Sequence, residues 1–272
     1  MSNLRLKKIN DESVNEVPHM GKKDSRPIKG SRLFDEIYAN ILLVARKKSG
    51  KTSCIFKIIQ ECCTKDTTIV AFVSTLHKDA SWQSIQEYCD TKDIPFIGHT
   101  SITDEEGHNQ LTDLVKHLQA KAQVPEEDPE DKQRVVLFNE KDETKPKKER
   151  KSKFRSPEYL FIFADLSDEL KNTSLLSLLK KNRHFKSKII ISTQYLNDRL
   201  PQSRKQIDYT LIFKGQPQKK LDEIYRDCDV GMSPEEFFDL YSFATEQPFN
   251  FLYIDRLNDT FRRNFNYELK IN

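Results

Sequence analysis

The sequence has no apolar run approaching the roughly 18 residues that a membrane-spanning helix requires, so no membrane partner is expected. Residues 1–8 are polar and contain no apolar h-region, which argues against a secretory signal. Cysteine is scarce and unpaired: Cys54, Cys62, Cys63, Cys89 and Cys228 make an odd set, with neither a C-x-x-C spacing nor histidines at zinc-ligand spacing. That excludes a disulfide framework and predicts reduced thiols in an intracellular compartment. The six histidines are scattered, so the pattern offers no metal cage and no Ser/His/Asp or Cys/His nucleophile. An excess of one charge is lacking too, because 45 basic and 42 acidic side chains leave a net charge of only +3. Total charge therefore says little about partners, and local distribution must decide.

What is present is enough chain, 272 residues, to bury a sizeable core without disulfides. Residues 1–33 mix Lys, Asp, Asn, Ser and Pro without periodicity and predict a mobile basic tail before a domain over 34–272. Apolar runs at 39–44, 68–73, 159–163, 188–192 and 209–213 predict strands. Helical spacing over 53–63, 111–118 and 170–179 places helices between them. Strands alternating with helices imply an α/β fold, a mainly parallel sheet with helices on both faces. Further helices are expected around 219–226 and 234–241, with a strand pair near 251–255 and 265–269. Between 125 and 157 an acidic block is followed by a basic one, and this charge segregation predicts a disordered insert.

The first chemistry-bearing segment is Ala45-Arg46-Lys47-Lys48-Ser49-Gly50-Lys51-Thr52, followed by Ser53, between an apolar strand and an amphipathic helix. A phosphate-binding loop needs backbone N–H groups converging on an anion, a helix N-terminus behind them, a lysine for the β/γ-phosphates and a hydroxyl for Mg²⁺. Gly50 supplies backbone freedom, Lys51 the charge and Thr52 the hydroxyl. Ala45 stands where the strict motif has Gly, which its looser form accepts. These residues are the candidate ATP-binding set.

The second segment is Tyr159-Leu160-Phe161-Ile162-Phe163-Ala164-Asp165, an apolar strand ending in a carboxylate that can hold Mg²⁺ or polarise the attacking water. Ala164 stands where a second acid often does. Either Asp165 is the catalytic acid with the metal held mainly by Thr52 and water, or Asp165 holds the metal and Asp168 or Glu169 is the acid. An acidic N-cap for the helix from Leu166 onward is a local reading of Asp165 that can coexist with the functional one. The third segment, Ile189-Ile190-Ile191-Ser192-Thr193-Gln194, ends a strand on a polar side chain able to sense the γ-phosphate or orient water.

The order of these motifs, with Asn182-Arg183-His184-Phe185-Lys186-Ser187-Lys188 before the third and Arg204-Lys205-Gln206-Ile207-Asp208-Tyr209 after it, resembles the genome-packaging ATPases of large DNA viruses, virophages and related transposons. These belong to the FtsK/HerA superfamily of P-loop DNA pumps. The resemblance runs from about Leu33 to Asn266 and implies a RecA-like P-loop NTPase fold with ATP and Mg²⁺ as cofactors. It further implies a homo-oligomeric ring that drives double-stranded DNA into a preformed capsid, with capsid or portal-vertex proteins as partners. The host cytoplasm, at the site of virus assembly, would be its location, with the virion as a second one. By resemblance, Lys51 and Thr52 take the loop roles, Asp165 the acidic motif and Gln194 the polar sensor. Arg183, eleven residues before Gln194, falls where the superfamily places an arginine that reaches a neighbour's nucleotide.

Arg183 also stands in a basic cluster with Lys180, Lys181, His184 and Lys186, which a solvated turn would show as well. This cluster and the one at 145–155 are candidate contacts to DNA phosphates. Two rivals share the loop. A small-molecule or nucleotide kinase would need an acceptor pocket and a lid. A non-hydrolysing assembly scaffold would use ATP only as ligand, a reading motivated by Ala164.

Overall fold

The computed structural model describes residues 24–123, 152–194 and 201–270, with the side chains of Ser167 and Asp168 outside that set. Most of the expected tail and of the expected insert, including the basic residues at 145–151, therefore lies outside the described residues. The described chain starts inside the expected tail and resumes inside the expected insert, and these two pieces pair. Arg155 N donates to Pro27 O at 2.9 Å and Lys29 N to Arg155 O at 2.8 Å.

Strand β1 (Asn40–Val44) is buried along its whole length and leads into helix α1 (Lys51–Cys62). The stripe Cys54, Ile55, Ile58, Ile59 and Cys62 docks α1 on the sheet. Each of its fully buried isoleucines contributes about 1.5–3 kcal/mol relative to exposure. Next come β2 (Thr68–Val73), α2 (Ala80–Thr91), β3 (Phe96–His99) and α3 (Gln110–Gln123). Then β4 (Tyr159–Ala164) leads through a 3-10 turn (Ser167–Lys171) to α4 (Thr173–Lys180) and β5 (Ser187–Thr193). The short α5 (Pro201–Arg204), β6 (Tyr209–Phe213), α6 (Gln218–Cys228) and α7 (Pro234–Ala244) precede β7 (Phe251–Asp255), β8 (Thr260–Arg263) and β9 (Tyr267–Leu269).

The strands form one nine-stranded sheet in the order β3-β2-β4-β5-β1-β6-β7-β8-β9. The first six in that order are parallel and β7, β8 and β9 add antiparallel at one edge. The α/β expectation, a mainly parallel sheet with helices on both faces, is what the structure shows. On one face α1 and α2 cover a core with Leu43, Ile162, Ile190 and Leu211, and on the other α3, α4, α6 and α7 cover a core with Leu42, Phe163, Ile191 and Ile212. The helix expected over 170–179 is split, because the Asn172 side chain accepts Ser174 N at 2.8 Å and starts α4 afresh. Elements β3, α2, α5 and β8 have no counterpart in the sequence reading.

Candidate phosphate-binding site

Because β1, β4 and β5 are parallel, their C-terminal ends deliver residues 45–52, Asp165 and Gln194 to one edge of the sheet. Strand β5 lies between the other two, with Thr193 opposite Val44 and Ser192 opposite Ala164. The loop is tied to it by Ala45 N donating to Thr193 O at 3.2 Å. Two strand spacings, roughly 10 Å, thus separate the loop strand from the acid strand. The Lys51 side chain closes that gap, and its Nζ meets Asp165 Oδ1 as an ion pair. Both side chains are largely withdrawn from water, at 15% and 23% exposure, so the pair stands where a charged ligand would be poorly screened.

The loop folds by local means. Gly50 at φ +92° and Lys48 at φ +61° turn the chain, and Ser49 Oγ donates to Arg46 O at 2.7 Å. Gly50 O then accepts Cys54 N at 3.0 Å and α1 begins. Helices α2 and α7 start on side-chain caps, Asp79 and a reciprocal Ser233/Glu236 box with Pro234 in the first turn. Helix α1 has no side-chain cap and no acidic residue in its first turn. Its start leaves donors and positive dipole for an anion. Asp165 is itself in the left-handed region, at φ +58°, a conformation that costs a non-glycine residue of order 1 kcal/mol. Ser74 Oγ, donating to Asp165 O at 2.7 Å, helps hold it there. A lysine, a hydroxyl at Thr52, a carboxylate and an uncapped helix start fit a triphosphate with its divalent cation. Lys51 and the N–H groups match phosphate oxygens, while Thr52 and Asp165 match a hard cation.

The remaining candidates divide. Gln194 closes β5 at this edge, and its backbone oxygen accepts Lys220 Nζ from α6. Glu169 is engaged elsewhere on the edge: its Oε2 accepts Ser101 Oγ at 2.8 Å and Ile102 N at 2.6 Å, which pins the loop after β3. The Asp168 side chain lies outside the described residues. Arg183 precedes β5 and is at the opposite end of the sheet, 69% exposed, with Nη2 3.9 Å from Glu36 Oε2. There it borders a polar cavity of about 280 Å³ with Asn40, Lys180, His184, Lys205 and Asp208. Burial pushes the Asp208 carboxyl up, against the lowering effects of Asn40 N, 2.7 Å away, and the Arg183 charge.

Four contributors to the site edge gave no sequence signal. Besides Ser74 and Lys220, Gln216 is buried and its Nε2 donates to Val44 O at 3.4 Å and Phe213 O at 3.2 Å, joining the loop strand to β6. The fourth, Phe249, places its ring against Gly50: a Cβ there would stand 3.3 Å from Phe249 Cδ1. All five cysteines are buried, and burial pushes the thiols of Cys54, Cys62, Cys63 and Cys89 up, the last to about 12, away from the reactive thiolate.

No protein-family model matches the chain, and no curated protein matches it. Solved structures do. The genome packaging NTPase B204 from Sulfolobus turreted icosahedral virus 2, in complex with AMP, superposes with a TM-score of 0.54 at 15% identity, covering 84% of this chain and 98% of B204. Its complex with ATP-gammaS gives 0.52 at 16%, covering 83% and 96%. The DNA-packaging ATPase B204 from Sulfolobus turreted icosahedral virus gives 0.51 at 14%, covering 83% and 96%. At such identities the likeness is one of architecture, and it extends over nearly the whole of each viral protein: this chain has the RecA-like P-loop fold of a viral genome-packaging NTPase.

Proposed function

We propose that this protein is an ATP-driven motor that moves double-stranded viral DNA into a preformed capsid, working as a homo-oligomeric ring at a capsid or portal vertex in the host cytoplasm. The observation that carries the proposal is the edge at which β1, β5 and β4 end. There an uncapped helix start, Lys51, Thr52 and Asp165 converge, with Gln194 at the end of the strand between them, in a fold shared with a packaging NTPase solved in complex with ATP-gammaS.

In this reading Lys51 leaves Asp165 for the β- and γ-phosphates when ATP arrives, and Thr52 and Asp165 would hold Mg²⁺. The cation, when bound, would supply charge neutralisation on the phosphate oxygens. The N–H groups of 48–52 fix the phosphate chain, and Gln194 orients water toward the γ-phosphate. Glu169, whose carboxylate accepts from Ser101 and Ile102 in the loop after β3, acts by positioning that loop. Arg183 completes the site of the adjacent subunit. The kinase alternative needs an acceptor cavity beside the phosphates, whereas the roomy polar cavity described above lies at the opposite edge.

The test is steady-state ATP hydrolysis with and without double-stranded DNA of two unrelated sequences at two salt concentrations. We expect stimulation that ignores sequence, with log K for DNA falling by about 0.9 per phosphate neutralised as log salt rises. Hydrolysis indifferent to DNA, with no binding at low salt, would overturn the motor in favour of a kinase or scaffold.

A further inference from the structure

We propose that Phe249 is the platform on which the base of the bound nucleoside triphosphate stacks. The proposal rests on the phosphate-binding reading of residues 45–52 and extends that site to its nucleoside end.

The first ground is the backbone. Phe249 is in the left-handed region at φ +67°, where a bulky side chain is a true outlier and strains the backbone. Several bonds impose it. Asn250 N donates to Gln247 O at 3.3 Å and Lys214 N to Asn250 O at 3.3 Å. Lys214 Nζ reaches Glu246 O, and Asn264 Nδ2 donates to Asn250 Oδ1 at 2.9 Å. Glycine or asparagine would occupy such a turn without strain. An aromatic ring is held there instead.

The second ground is exposure. Phe249 begins where the aromatic core ends: two residues on, Phe251 packs with Phe213 and Phe265, centroids 5.0 and 5.1 Å away. Phe249 takes no part in that cluster and is 67% exposed, more than any other large hydrophobic side chain among the described residues. Its ring edge lies on the backbone of Gly50, immediately before Lys51. A strained, rigidly anchored and open ring beside a phosphate loop is poorly explained by core packing.

The third ground is direction. Asp165 and β4 lie on one side of β1, so a phosphate chain whose terminal group meets Lys51 and Asp165 directs its nucleoside to the other side. That side is formed by β6 and β7, whose shared edge carries Gly215 and Phe249. Arg46 is exposed on the same side, its Cδ 3.6 Å from where a Gly215 Cβ would stand. Ring, guanidinium and loop thus surround the position of a base. Stacking on one face tolerates any base, so the platform would favour nucleotides over free phosphates without reading the base edge.

The experiment compares binding of Mg-ATP and of Mg-tripolyphosphate by titration calorimetry, for the wild-type chain, Phe249→Ala and Phe249→Trp. Phe249→Ala should weaken ATP on the order of 10- to 100-fold, leave tripolyphosphate unchanged, and regain ATP affinity as Phe249→Trp. Equal losses for both ligands would make the ring a mere support of the loop and overturn the proposal. So would unchanged ATP affinity in Phe249→Ala. A wild-type chain that binds neither ligand would refute the phosphate-binding reading itself, an outcome distinct from the other two.

Discussion

Arg183 offers the sharpest test, because the structure makes a strong statement about where it cannot act. It precedes β5, and the candidate phosphate site follows the same strand. Seven strand residues at about 3.3 Å each put roughly 20 Å between them, far beyond the reach of one side chain. In the proposed ring, any catalytic contribution would therefore be made to another subunit. Its guanidinium is 69% exposed and 3.9 Å from Glu36, and an exposed pair of that kind adds little stability, so Arg183→Ala should fold normally. It should also bind ATP with wild-type affinity, since its own loop is intact. Turnover should fall about 10³- to 10⁵-fold, the contribution of an arginine supplied to a phosphoryl-transfer transition state. Mixing separates this from a long-range defect. In a ring of head-to-tail interfaces assembled from equal amounts of Arg183→Ala and Lys51→Ala subunits, about one interface in four pairs an intact loop with an intact arginine. Steady-state phosphate release should then recover toward a quarter of the wild-type rate. If the mixture stays as inactive as either parent while mixed rings demonstrably form, Arg183 is a solvated turn residue and the interface places some other group.

Lys51→Ala should abolish hydrolysis and strongly weaken triphosphate binding, because it removes the charge facing the β/γ-phosphates and leaves Asp165 without its partner; equilibrium binding and turnover at wild-type levels would sink the loop assignment. Asp165→Asn should keep ATP binding measurable while reducing turnover, since the isostere preserves shape and loses charge. Glu169→Gln should cost far less activity, its visible partners being Ser101 and Ile102 N. The reverse ranking of these two variants in a steady-state assay would show that the acidic motif is displaced by four residues.

Much of the fold was legible because it is encoded over short distances. The strand at 40–44 is a continuous apolar run, the helix at 51–62 carries its isoleucines at helical spacing, and Gly50 stands at the turn between them. The same holds for β4 with Asp165 at its end and for β5 with Gln194. What escaped had weak local signals. Helix α2 buries only Trp82, Ile85 and Cys89 among polar residues, and β3 is a four-residue edge strand without a fully buried position. Strand β8 carries two arginines in four residues and owes its pairing to β7 and β9.

The sequence by itself determined which residues end each strand, and with that which lysine, hydroxyl and acids are the candidates for the site. It could do so because apolar runs, glycine turns and helical periodicity act between residues close in the chain. Only the tertiary structure decided that β5 inserts between β1 and β4, that Arg183 is on the far edge, and that Glu169 turns to the loop after β3. It also decided that Ser74, Gln216 with Lys220, and Phe249, contributed by three separate segments, border the site edge. Strand order and loop meetings are fixed by pairings between residues tens to hundreds of positions apart, and no local pattern carries that information.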